Sequence, residues 1–112
     1  MRPSRGEIWL VSLDPTVGRE QAGMRPALIM SVNTFNHGPA ELVVLVPITT
    51  KCKNIPLHVA LSPLETGLDF VSFAKCEDLR SVSLKRLDRR LGAVVPSTIQ
   101  LVEDRLRILL DL

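Results

Sequence analysis

Short apolar runs, broken by proline, glycine and asparagine, fill the first three quarters of this chain and constrain its fold more than any other feature. The runs Glu7–Leu13, Ala27–Val32, Glu41–Ile48, Leu57–Leu61 and Phe70–Ala74 are too short for ordinary helices. They are rich in Val, Ile, Leu and Phe, so each reads as a strand. Asp14-Pro15-Thr16 closes the first as a turn, and residues 33–39 form a loop with two Asn, a Gly and a Pro. The second run is apolar at both parities and is expected to be buried on both faces. Glu77–Val82 reads as a short further strand, and Ser83 can cap one or two helical turns through Leu87.

The period changes at the end. Ser97-Thr98-Ile99-Gln100 fits a capping box, and Ile99, Val102, Leu106 and Leu109 then recur at helical spacing. Glu103, Asp104, Arg105 and Arg107 take the other side, which predicts an amphipathic helix of about four turns. Strands followed by one helix predict a mainly β domain with a C-terminal α-helix: a small, strongly twisted barrel or curled sheet with the helix packed on it. Residues 1–112 read as a single domain, without linker or repeat.

Composition removes several function classes. With 46% apolar and 23% charged residues the chain suits a folded globular protein. It has no Tyr, one Trp and three Phe, so no broad aromatic platform for stacking bases is expected. No apolar run approaches about 18 residues, and Met1–Gly6 lacks the apolar stretch of a secretion signal. No membrane partner is therefore expected. Cys52 and Cys76 stand alone, which points to a reducing, cytoplasmic setting. Together with His37 and His58 they show no ligand spacing, so no metal site is expected. The net charge is only +2 but uneven: residues 80–90 hold Arg80, Lys85, Arg86, Arg89 and Arg90 against Asp88 alone. Such a run either attracts a polyanion or forms a solvated helical face.

Two segments carry candidate chemistry. In Gly18–Pro26, Pro26 fixes its own φ and pushes Arg25 toward an extended backbone, while Gly23 permits a close approach. Arg25 is then either a cation held still for an anion or a hairpin arginine facing water. In Val46–Lys53, two hydroxyls and two lysines leave the sheet together. Thr49, Thr50, Lys51 and Lys53 make either a phosphate cradle or an ordinary strand end. Pairing of the second and third strands would let Arg25 meet Thr49.

These segments, in this order, resemble the MazF/PemK family of bacterial toxins, the endoribonuclease half of toxin–antitoxin pairs. The likeness covers nearly the whole chain. It rests on Gly6-Glu7-Ile8-Trp9, Asp14-Pro15-Thr16-Val17-Gly18 and Glu20-Gln21-Ala22-Gly23 with Arg25-Pro26. Val46-Pro47-Ile48-Thr49-Thr50 follows, then Asp78-Leu79-Arg80 and Arg86-Leu87. The resemblance implies an SH3-like barrel, a homodimer and a neutralising, MazE-like antitoxin. It implies sequence-specific cleavage of single-stranded RNA, mRNA included, without metal or other cofactor, leaving a 2′,3′-cyclic phosphate and a 5′-hydroxyl. It assigns catalysis to Arg25 and Thr49. Some relatives place a histidine just before that arginine; here the position is Met24.

Elementary chemistry agrees with those roles. Attack by the 2′-OH builds charge on phosphorane oxygens, and a guanidinium binds two of them at once. Thr49 can donate one further bond. Arginine is a poor proton acceptor, which leaves the base open. His58 alternates with Leu57 and Val59 and reads as a surface or satisfied histidine, whereas His37 lies in the loop before the third strand. Glu20 is either a base or, as favoured here, the group that orients Arg25. Gln21, Thr50, Lys51, Lys53, Arg80 and Arg86 are the RNA-binding candidates. The alternative is a CcdB-like, non-enzymatic toxin that inhibits DNA gyrase, with the C-terminal helix as its interaction element. A third reading is a domain that binds RNA and protects it.

Overall fold

The computed structural model describes residues 2–15, 17–20 and 23–112. Its strands are β1 (Glu7–Ser12), β2 (Met24–Ile29), β3 (Leu42–Thr49), β4 (His58–Leu61), β5 (Ser72–Lys75), β6 (Arg80–Ser83) and β7 (Leu87–Ala93). Two single-turn helices, α1 (Asn33–Asn36) and α2 (Pro63–Thr66), interrupt them, and α3 (Pro96–Leu110) ends the fold. The sheet order is β4-β5-β3-β2-β1-β7, with β6 joined to β3, and every pairing is antiparallel.

Both faces of this sheet are covered. Ile8, Leu28, Val46 and Ile48 meet Val59, Leu61, Ala74 and, from α3, Val102 on one face. Trp9, Val11, Ala27, Ile29, Val43 and Leu45 alternate with them and pack on Val82 and Leu87 on the other. Two covered faces explain why the runs in β2 and β3 carry apolar residues at both parities. The expected mainly β architecture with a C-terminal helix is what forms.

Local differences have local causes. β2 begins at Met24, so Arg25 and Pro26 lie inside the strand. Glu77–Val82 is not one strand: Cys76–Asp78 makes a 3₁₀ turn before β6 starts. Ser83 does cap a turn, accepting from Lys85 N at 3.2 Å. Of the basic run beyond it, Lys85 and Arg86 lie in that 3₁₀ turn and Arg89 and Arg90 in strand, so it is no helical face; β7 pairs with β1 through two register shifts, which spoil the alternation that would have announced it. The one-turn helix α2 was readable from its ends, since Ser62 caps Leu64 N and Gly67 closes it at φ 72°. At the head of α3 the capping box does not form. Pro96 takes the first turn, Val95 is the N-cap without a side-chain bond, and Ser97 falls inside the helix. Thr98 and Val102 are buried and Ile99 and Leu106 pack on the core, but Leu109 is exposed because the last turn projects past it.

Candidate nucleic-acid interface

The site lies where the central ladder stops. β2 and β3 pair as Ile29↔Leu45, Leu28↔Val46 and Ala27↔Pro47. Carried two residues further, that register would set Arg25 against Thr49. The strands part instead. Met24, Arg25 and Pro26 stay paired with Ser12, Val11 and Leu10 of β1, while Ile48 and Thr49 pair with Ala74 and Phe73 of β5. Neither Pro26 nor Pro47 has an N–H with which to continue the ladder.

A cleft of about 220 Å³ occupies the gap, lined by Arg25 and Thr49 with Thr50, Lys51 and Lys53 from the loop after β3. Arg19, Lys75 and His58 complete its wall. The ionised side chains facing it as lining are Arg19, Arg25, Lys51, Lys53 and Lys75, with no carboxylate among them. Such a gap favours an anion. Thr49 is nearly buried, and its Oγ1 accepts from Lys51 N at 3.2 Å. A hydroxyl that accepts there keeps its own proton for donation.

A second cleft, of about 400 Å³, adjoins the first and shares Arg19, Lys53 and Lys75 with it. Its remaining wall is acidic: Glu20, Glu77 and Asp78, with Ile55. Lys75 ties the two, donating to Arg19 O at 2.8 Å and lying 3.9 Å from Asp78 Oδ2.

The predicted residues divide accordingly. Arg25, Thr49, Thr50, Lys51 and Lys53 come together in the basic cleft. Glu20 lines the second cleft; its carboxylate accepts from Val17 N at 2.8 Å and stands 3.9 Å from Arg80 Nη1. Among the described residues its carboxylate thus meets Val17 and Arg80. Arg80 is mostly covered and bonds Asp78 Oδ2 at 2.6 Å. Arg86 lines neither cleft: its Nη1 donates to the Ser12 carbonyl at 3.3 Å and to that of Asp14, fastening the end of β1. Gln21 lies outside the described residues. Gly23 has φ 76° and no atom within 4 Å of where a Cβ would sit, so it serves the turn and not a close approach. Its N–H is held by Asp14 Oδ1 at 3.0 Å.

Sequence reasoning missed Arg19, Lys75 and, above all, the partner of His58. The His58 side chain is 4% exposed and its Nε2 lies 2.8 Å from Glu77 Oε2. Nothing local announces a pair separated by 19 positions; only the β4–β5 register, His58↔Lys75, brings the turn after β5 beside it. His37 is elsewhere, its Nε2 2.8 Å from Pro3 O. Next to Glu77, burial and then the carboxylate's charge push the Cys76 thiol up from 9.0 to about 11. Among the described residues no group of three or more His, Cys, Asp or Glu is placed to hold a metal ion, and no helix is long and apolar enough to cross a membrane.

Comparison with known proteins agrees with the fold. Residues 4–110 match the family model for the PemK-like, MazF-like toxin of type II toxin–antitoxin systems. The chain is 35% identical over 113 residues to the endoribonuclease MazF9 of Mycobacterium tuberculosis, covering 96% of each protein. It superposes on MazF of Deinococcus radiodurans with TM-score 0.87 at 27% identity, over 100% of this chain and 99% of that one. It also superposes on a mycobacterial endoribonuclease solved in complex with its cognate antitoxin, with TM-score 0.82 at 28% identity, over 98% and 96% of the two chains.

Proposed function

The chain belongs to the PemK-like, MazF-like family of type II toxins, and from that premise we propose that it is a sequence-specific endoribonuclease acting on single-stranded RNA, mRNA included. The observation that carries the proposal is the cleft lined by Arg25 and Thr49 and otherwise by cations. The scissile phosphate sits between the two side chains. As the 2′-oxygen attacks, charge grows on the non-bridging oxygens, and Arg25 grips them more tightly than in the ground state. Thr49 donates one further bond. Thr50, Lys51 and Lys53 hold flanking phosphates. Glu20 steadies Arg80 beside the acidic cleft, and Arg86 acts on the loop, not on RNA.

The family match and the relative solved with its antitoxin support a neutralising partner. An acidic, extended, MazE-like tail complements the cationic cleft. Leu101 and Ile108 are exposed at helical spacing on α3, with Leu112 exposed just past its end, which supports a homodimer that hides them. The protein works in the cytoplasm, where its substrate is. The gyrase-inhibitor alternative draws no support from the family match.

The test is cleavage of a long RNA by the purified protein and by folded Arg25→Ala and Arg25→Lys variants. Both lose about 100-fold or more in rate, lysine because a point charge cannot bridge two oxygens. Undiminished cleavage by both variants refutes the assignment. Intact RNA together with inhibited supercoiling would favour the gyrase reading.

A further inference from the structure

We propose that His58 is the proton acceptor of this cleavage, with Glu77 as its positioning residue; the inference rests on the nuclease reading above. The alternation of β4 sends Val59 and Leu61 into the core. His58 therefore faces the other side of the sheet, in register with Lys75, and both line the cleft of Arg25 and Thr49. The imidazole is more than nine-tenths buried. Its Nε2 lies 2.8 Å from Glu77 Oε2. An ionised carboxylate only accepts, so Nε2 carries the hydrogen and Nδ1 keeps its lone pair. That Nδ1 is buried and has no hydrogen-bond partner among the described residues. Native folds seldom leave such an atom unsatisfied without a use for it. A ribose hydroxyl entering the cleft supplies the missing donor.

Competing groups are committed elsewhere. His37 is held at Pro3 O, and Glu20 lies in the neighbouring cleft against Val17 and Arg80. A guanidinium has donors only and no acceptor with which to take a proton. The charged side chains that share the cleft with His58 are Arg19, Arg25, Lys51, Lys53 and Lys75, while Glu77 and Asp78, the latter 3.9 Å from Lys75 Nζ, supply negative charge on the adjoining wall. From α3, Arg105 bonds the Pro56 carbonyl at 2.9 Å.

In the step, Nδ1 takes the proton of the 2′-OH as the O2′–P bond forms and the P–O5′ bond breaks. The 5′-oxygen takes a proton from water, and the imidazolium returns its own to solvent before the next turnover. Positioned bases of this kind contribute about 100- to 10,000-fold.

The test compares kcat/KM across pH for the wild type, His58→Gln and Glu77→Gln on one RNA. Affinity is read separately with the same RNA carrying a 2′-deoxyribose at the cut site. His58→Gln loses about 100-fold or more in kcat/KM, together with the rising limb of the pH profile, and still binds the deoxy analogue. Glu77→Gln keeps His58 in place; its kcat falls while KM holds. It reads the pair even if His58→Gln does not fold. A folded His58→Gln with wild-type rate and profile overturns the inference, as does an unchanged kcat in Glu77→Gln. Wild-type protein that cuts no RNA refutes the nuclease reading itself, which separates the two failures.

Discussion

Replacing Thr49 by valine removes one oxygen and keeps the shape, so its consequences can be worked from few contacts. Thr49 is only 9% exposed, and its β-strand pairing with Phe73 does not depend on the side chain. What disappears is the hydroxyl that accepts from Lys51 N at 3.2 Å and keeps a proton for the substrate. The lost acceptor costs about 1 kcal/mol of stability, since the Lys51 amide lies near water. For a domain of this size that is a melting shift of about 4 °C. The lost donor is a different order of effect. A preorganised donor to a developing oxyanion is worth about 100- to 1000-fold in kcat, or roughly 3–4 kcal/mol. Thr49→Val therefore melts almost normally and cleaves RNA at least about 100-fold more slowly, with KM little changed. Thr49→Ser, which restores the hydroxyl, recovers most of that rate. Single-turnover cleavage and thermal melting on the same samples decide it. Thr49→Val cleaving within a few-fold of wild type would refute the reasoning, and so would a rate loss that tracked a large fall in melting temperature.

Other perturbations separate the scaffold from the site. Arg86→Ala strands the Ser12 and Asp14 carbonyls. It should lower the urea midpoint by an amount equal to about 2 kcal/mol without altering the salt dependence of RNA binding. Lys53→Ala should do the reverse, reducing the slope of log affinity against log salt by about 0.7 while melting is unchanged. The raised pKa of Cys76 means that the folded state holds that proton more tightly than the unfolded state. The stabilisation is complete below pH 9.0 and is lost as pH climbs through about 11, worth about 3 kcal/mol at the end; denaturant titrations across that window check it. Iodoacetamide at pH 8 should label exposed Cys52 and spare buried Cys76 in the native protein. Gly92→Ala drives a Cβ to 2.3 Å from Glu65 O and 2.8 Å from the Thr66 backbone, which α2 cannot relieve without lifting off β7. Melting should fall by the equivalent of about 3 kcal/mol.

Much of the architecture was legible because hydrophobic parity and turn residues act locally. The apolar doubling in β2 correctly marked a strand covered on both sides, and β3 proves to be covered in the same way. The start of α3 was misplaced because two local signals competed, and proline's preset φ prevailed over the Ser97 capping pattern. β7 was hidden because its partner β1 accommodates it only through shifted register, which the run Asp88-Arg89-Arg90 does not encode. The meeting of Arg25 and Thr49 was readable from the order of strands. The His58–Glu77 pair was not, because it depends on a third strand and a 3₁₀ turn folding back beside β4.

The same two prolines that end the β2–β3 ladder explain why a site exists here at all. A continued ladder would pack Arg25 and Thr49 side by side as an ordinary cross-strand pair, leaving no room for a ligand. An unpaired end would leave both side chains loose. Neither occurs, because each strand past the split is held by its outer neighbour, β2 by β1 and β3 by β5. The backbone under both side chains is fixed while the space between them stays open. Charge follows the same division. The carboxylates of Glu20, Glu77 and Asp78 line the adjoining cleft, and the gap itself is lined by arginines and lysines. Five cations lining one small gap repel one another, a cost that a bound phosphate relieves. Geometry and electrostatics thus favour the same ligand for independent reasons: a single strand of nucleic acid, whose phosphate fits the gap and whose charge relieves the repulsion across it.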